Sequence, residues 1–264
     1  MSLIDTHCHL DAAEFAETRR QVLDAARAAG IGSIVIPSVS RDNFADVKRI
    51  SETFPDCHVA FGIHPMFTKD AQQRDLATLE EYLKTCRPVA IGEIGLDFFI
   101  EDFDRATQQY YFSEQLRLAR EFDLPVLIHS RKSLDAVLML LRKIRVKGGI
   151  MHAFNGSIQQ AEELVAMGFM LGFGGAATYP RATRLRSLVV SLPLDCIVLE
   201  TDAPDMPPEF IEKGQPNKPE YLAKIAQILA GLRGIPHDEL ATATTENALH
   251  VLPKLRTERI SACA

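Results

Sequence analysis

Two histidines one residue apart, His7 and His9, stand in the opening stretch IDTHCHLD of this 264-residue chain. Side chains at i and i+2 of a strand face the same way, so both imidazoles can converge on one ion. Four more residues of ligand type follow at wide intervals: Glu93 in AIGEIGLD, His129 in VLIHSR, His152 in IMHAF and Asp202 in IVLETDAP. Neutral imidazole nitrogen and carboxylate oxygen suit Zn2+, accept Mn2+ and, less readily for imidazole, Mg2+. Four histidines and two carboxylates hold two divalent ions if one carboxylate bridges. Ions ~3.5–4 Å apart acidify a shared water and stabilise both attacking and leaving oxygens. Hydrolysis is the chemistry of such a set, and it needs no serine or cysteine nucleophile.

Taken singly, each residue has a bland explanation. A histidine ending a buried strand is more often hydrogen-bonded and structural, Glu93 could be half of a buried ion pair, and Asp202 could cap a turn. That explanation does not cover six such residues at one end of five strands.

The strands are read from short apolar runs separated by helical segments. They fall near residues 2–7, 33–37, 58–63, 88–93, 125–129, 149–152, 170–174 and 196–200. Eight strand–helix units in this length suit a closed (β/α)8 TIM barrel of the amidohydrolase-like metallohydrolase type, usually about 250 residues. Runs such as VLIH, IVIP and IVLE are apolar throughout, as strands buried on both faces must be. A doubly wound open sheet also alternates strand and helix, but no GxGxxG fingerprint supports one. Phe112, Leu116 and Ala119 form a helical stripe ending before Pro125. Ser157 and Gln160 make a capping-box pattern opening a helix that runs to Gly168. Another helix, from Glu17 to Ala29, closes at Gly30. Each of the six residues then lies at the carboxyl end of a strand, where barrel enzymes build their sites. The proline-rich stretch 204–219 reads as a loop over that end, and residues from about Lys254 onward as a frayed tail.

Bulk properties agree. Hydrophobic residues make up 47% and charged residues 24%, enough for one barrel domain over residues 1–264 without disulfides. No stretch approaches the ~18 apolar residues of a membrane span and no signal peptide leads the chain, so a cytoplasmic protein is expected. Five scattered cysteines include no CxxC pair, and Cys8 reads as a packed thiol. A net charge of −6 argues against a long duplex-binding surface, although cations in a site can serve a nucleic-acid substrate locally.

These motifs together resemble the TatD family of metal-dependent nucleases. The matching stretches are IDTHCHLD, FGIHP, AIGEIGLD, PVLIHSR, HAFNGS and LETDAPDMPP followed by GQPNKPE, with a late TTENALHVL. DAPDMP and GQPN place the likeness in the YjjV-like bacterial branch. The resemblance implies a TIM barrel removing nucleotides from DNA, single-stranded or frayed, at a 3′ end. It implies that His7, His9, Glu93 and Asp202 hold one metal, with Glu93 bridging to a second on His129 and His152. Asp202 and Glu93 are then the catalytic residues, Asp202 orienting or deprotonating the attacking water. The chain departs from the family at Met66, at Phe98 and Phe99 after GLD, and at Ala153 and Asn155 in HAFNGS. None is a ligand position, so the departures bear on the substrate.

On the substrate side, His64 ends the third strand and is expected to meet a phosphate or leaving oxygen, rather than merely cap a loop. Arg131 carries a guanidinium fork that suits two phosphate oxygens; a surface ion pair is its ordinary alternative. Phe98 and Phe99 can stack a base or simply pack. Arg181, Arg184 and Arg186 read as a solvated helix face before a backbone track. A metal-activated water attacks phosphorus or carbonyl carbon alike. A small-molecule amidohydrolase or phosphoesterase, or an aminoacyl-tRNA ester hydrolase, therefore remains open beside the nuclease; a non-catalytic binding barrel is disfavoured, since a binder has no use for six ligand-type residues.

Overall fold

Odd and even strand residues are both apolar because they serve two different cores. In the computed structural model, which describes residues 2–99 and 104–256, the eight strands lie in one parallel sheet in sequential order. They are β1 (Leu3–Asp5), β2 (Ile31–Pro37), β3 (Cys57–Phe61), β4 (Ala90–Asp97), β5 (Val126–Arg131), β6 (Gly149–Met151), β7 (Phe169–Phe173) and β8 (Ile197–Leu199). The sheet rolls into a barrel in which the amide of Thr6 donates to the Leu199 carbonyl and joins first strand to last. Sequential order excludes the doubly wound sheet, whose strand order reverses at a switch point.

Residues of one parity face outward: Leu3, Ile34, Ile36, Phe61, Val126, Ile128 and Leu199 join the core beneath the helices. The alternate set, Ile4, Val35, Ala60, Ala90, Leu127, Ile150 and Val198, fills the barrel interior as a separate apolar cluster.

Nine α-helices accompany the strands among the described residues: α1 (Arg19–Ala28), α2 (Phe44–Thr53), α3 (Gln73–Cys86), α4 (Arg105–Glu121), α5 (Leu134–Lys143), α6 (Ile158–Ala166), α7 (Thr183–Ser191), α8 (Leu222–Arg233) and α9 (His237–Val251). In α4 the expected stripe Phe112, Leu116 and Ala119 is buried. At α6 the Ser157–Gln160 capping box forms, each side chain taking the other's backbone amide. After α1, Gly30 adopts a φ of 90°, the left-handed turn that glycine allows.

The amino ends of the strands are closed by α9. Its Ala248 and Val251, with Leu252 and Leu255 beyond it, pack onto the interior cluster. Thr245 bonds the Ser2 carbonyl, Asn247 the carbonyls of Leu194 and Ile197, and Lys254 that of Pro88. The tail expected to fray from Lys254 is therefore anchored through Leu255, because one leucine suffices to plug the barrel floor where no longer apolar pattern exists. Residues 257–264, including Cys263, lie outside the described residues. None of the described helices is long and apolar enough to cross a membrane.

A second correction concerns β4 and β5, which run past Glu93 and His129 to Asp97 and Arg131. Glu93 is thus inside its strand. The reason is a register irregularity between Ile91 and Ile94 against β5, which lets two successive residues, 92 and 93, face the interior. Gly92 fits because a Cβ there would lie 2.6 Å from Leu127 Cβ, and Glu93 is thereby aimed at the barrel axis.

Candidate metal centre

At the carboxyl ends of the strands the interior row changes from apolar to polar within one step of two residues. Above Leu127 stands His129, above Ile150 His152, and above Val198 Glu200. Past β1, His7 donates no side-chain hydrogen bond, and its buried Nε2 lies 3.2 Å from Glu93 Oε2 and 3.7 Å from Asp202 Oδ1. His9 Nε2 lies 3.5 Å from the same Glu93 oxygen and 3.6 Å from the same Asp202 oxygen. The rings of His7 and His152 stack with centroids 3.7 Å apart, and His152 Nε2 is 3.6 Å from Asp202 Oδ2.

The other oxygen of Glu93 looks the opposite way. Its Oε1 is 3.1 Å from His129 Nδ1 and 3.6 Å from His64 Nε2. One buried carboxylate therefore touches both halves of the site. Three sets of ligand atoms lie close enough to hold a cation: His7, Glu93 and His152; His7, His9 and Asp202; and His64, Glu93 and His129. His152 is grouped with His7 rather than with His129, the partner that the resemblance implies for it.

The donor chemistry fits a divalent ion. A buried imidazole nitrogen without a hydrogen bond, as at His7, is costly unless a ligand takes its lone pair. A ligating histidine normally gives its other N–H to a carboxylate or carbonyl, which fixes ring and tautomer. His129 Nε2 has such a partner in Asp97 Oδ2 at 3.1 Å, while His152 Nδ1 lies 3.1 Å from Glu200 Oε1 as a charge neighbour, without a hydrogen bond. The opposite holds at His64. Its Nδ1 accepts from the Met66 amide at 3.2 Å, so the neutral ring carries its proton on Nε2, facing the site. That nitrogen is a hydrogen-bond donor and a poor ligand.

Electrostatics follow the same division. Burial pushes down His7, with His152 adding to the effect, and holds His64 at about 3. At His9 burial pushes down as well but is outweighed by Glu93 and Asp202, and its pKa rises to about 9. His152 is likewise raised, burial losing to the charges of Glu200 and Asp202. Glu93 and Asp202 stay ionised against burial because the surrounding histidines lower both.

Three carboxylates that sequence reasoning passed over position this set. Asp5 accepts from the Thr201 amide (2.9 Å) and hydroxyl (2.6 Å) and from the His7 amide, tying β1 to the turn after β8. Burial, partly offset by those bonds, pushes Asp5 up to about 7. Glu200 accepts from the Ala153 amide at 2.6 Å as well as facing His152, and Gly172 makes room for it: a Cβ there would overlap the carboxylate. Asp97 also accepts from the Phe99 amide. Their only signal in the sequence is proximity, two residues before His7, two before Asp202 and four after Glu93. Asp202 has a φ of 58°, a left-handed conformation that aspartate tolerates better than most, and its amide donates to the His7 carbonyl. The proline-rich loop is pinned above by Asn217, whose side-chain amide donates to the carbonyls of Thr201 and Asp205.

Arg131 forms no ion pair among the described residues, but its charge helps to keep Asp97 ionised. It stacks 3.7 Å over the Phe99 ring and lines a cleft of about 600 Å3 that opens on His152. Phe98 packs against the outer core and Phe99 is exposed. Arg181 lies over Tyr179, Arg186 bonds the carbonyls of Ala177 and Thr178, and Arg184 reaches Asn155. The three arginines thus do not form one solvated face.

A parallel barrel carrying histidines and carboxylates at its carboxyl rim defines a metal-dependent hydrolase. Residues 4–253 match the family described as TatD related DNase, and the chain belongs to the TatD family. It is 41% identical over 247 residues to the uncharacterized metal-dependent hydrolase YjjV of Escherichia coli K12, covering 92% of this chain and 95% of that protein. The crystal structure of that TatD homologue superimposes with a TM-score of 0.91 at 40% identity, over 95% of this chain and 98% of the other. A 3′-5′ ssDNA/RNA exonuclease TatD from Erwinia tasmaniensis is 32% identical over 253 residues, 93% of this chain and 98% of its own.

Proposed function

We propose that this chain is a cytoplasmic phosphodiesterase that removes nucleotides from the 3′ ends of single-stranded or frayed DNA. The observation that carries the reading is Glu93, one oxygen turned to His7 and His9 and the other to His129. A carboxylate so placed could serve two cations, one that His7, His9 and Asp202 would hold and one that His129 would hold, with His152 beside them. Two divalent ions, whether Zn2+, Mn2+ or Mg2+, supply Lewis-acid polarisation and an acidified water when bound.

The chain's own residues divide the remaining work. Asp202, held ionised by His152 and its neighbours, orients the attacking water and accepts its proton at a carboxylate oxygen. Water oxygen bonds to phosphorus, and the P–O bond to the 3′-oxygen of the shortened strand breaks. His64 Nε2–H donates a hydrogen bond to that oxygen, which takes a proton from solvent as Asp202 releases the one it accepted. Arg131 forks onto the two non-bridging oxygens, which orients the phosphate. The exonuclease name of the Erwinia relative supports both the nucleic-acid substrate and the polarity.

A digestion panel tests the reading: end-labelled single-stranded and duplex DNA, RNA, aminoacyl-tRNA and bis(p-nitrophenyl) phosphate, each with Mg2+, Mn2+, Zn2+ or chelator. Single-stranded DNA should shorten from its 3′ end, and chelator should stop it. Hydrolysis of the aminoacyl ester alone, or undiminished rates in chelator, would overturn the proposal.

A further inference from the structure

The cleft beside the metal centre is lined by several cations and a single acid, Asp135. It leads away from His152 between the end of β5, with Arg131 and Lys132, and the turn holding Asn155, with Arg184 of α7 on the far wall. Among the described residues none of these three cations forms an ion pair, whereas Arg142 and Lys147 on the outer helices and loops are matched to Glu163 and Asp123. In a chain of net charge −6, three cations facing one cleft without partners concentrate positive potential there.

They are also held in place. Arg131 and Lys132 both stand over the Phe99 ring, at 3.7 and 4.5 Å. Arg184 is fastened from across the cleft, donating to the Asn155 carbonyl at 2.9 Å and its side-chain oxygen at 2.7 Å. The one acid in the lining, Asp135, accepts from Gln160 at 2.7 Å. Cation–π contacts and hydrogen bonds of this kind fix donors without neutralising them, which is what a preformed anion site needs.

Apolar groups complete the surface. Four of the eight exposed large hydrophobic side chains in the described residues stand on loops that follow barrel strands, Met66 (57% exposed), Phe67 (41%), Phe99 (48%) and Met206 (36%), and of these Phe99 lies against the cleft's cations. Aromatic and apolar platforms beside a cationic groove are the usual combination for an unpaired strand. A cleft of this volume matches one ligand of nucleotide size.

We infer that Lys132 and Arg184 form a subsite for a second phosphate, the one next to the scissile linkage along a single strand. The inference rests on the phosphodiesterase reading and adds to it. The enzyme would distinguish a polynucleotide end from an isolated diester by a charge one linkage away from the chemistry.

The test is a cycle of two substrates and two proteins. One substrate is the trinucleotide dTpdTpdT; the other carries a neutral methylphosphonate at the linkage that is not cut first. For the metal-loaded wild type, kcat/KM should fall about tenfold on neutralising that linkage, the scale of one charge-assisted contact. In Lys132→Ala/Arg184→Ala the two substrates should become nearly equal. The salt slope of log kcat/KM should also flatten by about 0.7 for the lost phosphate contact. A purely structural role for the two cations would slow both substrates alike and keep their ratio. An unchanged ratio in the variant, or no preference in the wild type, would sink the subsite. If no diester is cut at all, the phosphodiesterase reading fails, and the same cycle measured as binding by fluorescence anisotropy still decides the subsite.

Discussion

The two ends of the barrel interior use the same strands for opposite purposes. At the floor, Val35, Ala60, Ala90, Leu127, Ile150 and Val198 pack with the end of α9 into an apolar plug. Two residues further along, the same inward row offers His64 beyond Gly62, then His129, His152 and Glu200. One end is tied down by closed packing, which contributes roughly 25 cal/mol for each Å2 of apolar surface removed from water. At the other end, burial of like and unlike charges keeps groups in protonation states they would not hold in water. The lesson is that stability and chemistry are separated along the strand axis by about one β repeat, and variants at the two ends should fail differently.

The sharpest way to break that division is Glu93→Ala. It should lower turnover by more than about 1000-fold, since residues acting as a unit fail together. Bound metal, measured by atomic emission, should fall with it. Retention of two ions and normal rates would remove Glu93 from the bridging position. Its thermal midpoint without added metal should hold or rise, because a buried carboxylate is gone.

Leu127→Ala, on the same row as His129 but at the floor, should do the reverse. A fully buried leucine lost to a cavity costs roughly 2–5 kcal/mol. In a chain of this size that lowers the midpoint by several degrees, readable by calorimetry. kcat of the folded fraction at low temperature should stay near wild type. A large drop in kcat without a drop in stability would erase the distinction between floor and rim.

Smaller effects sharpen the boundary. Glu200→Gln should weaken metal binding by about 10–100-fold, as loss of a histidine-orienting carboxylate does. Gly172→Ala should imitate it, since the added Cβ meets that carboxylate. Titration calorimetry showing wild-type affinity in both would leave His152 without a positioning partner. The smallest effect is with pH. His9, at about 9, and His152, also raised, must each lose a proton to ligate. Metal affinity should therefore rise with pH toward 9 and fall below it, with proton release seen in buffers of different ionisation enthalpy. A flat profile from pH 6 to 9 would mean that neither residue ligates.

The sequence by itself determined the strand–helix order, the helix caps at Ser157 and Gly30, and the six ligand-type residues, because these depend on local pattern and on residue chemistry. The i and i+2 spacing of His7 and His9 needs no knowledge of the rest of the chain. Only the tertiary structure decided which groups meet. It aimed Glu93 inward through the register irregularity in β4, turned His64 into a donor through the Met66 amide, and set Glu200 behind His152 in the space Gly172 leaves. It also seated Leu255 in the barrel floor. Those outcomes depend on contacts between strands distant in sequence, and closure of the barrel is the step that brings them within reach of one another.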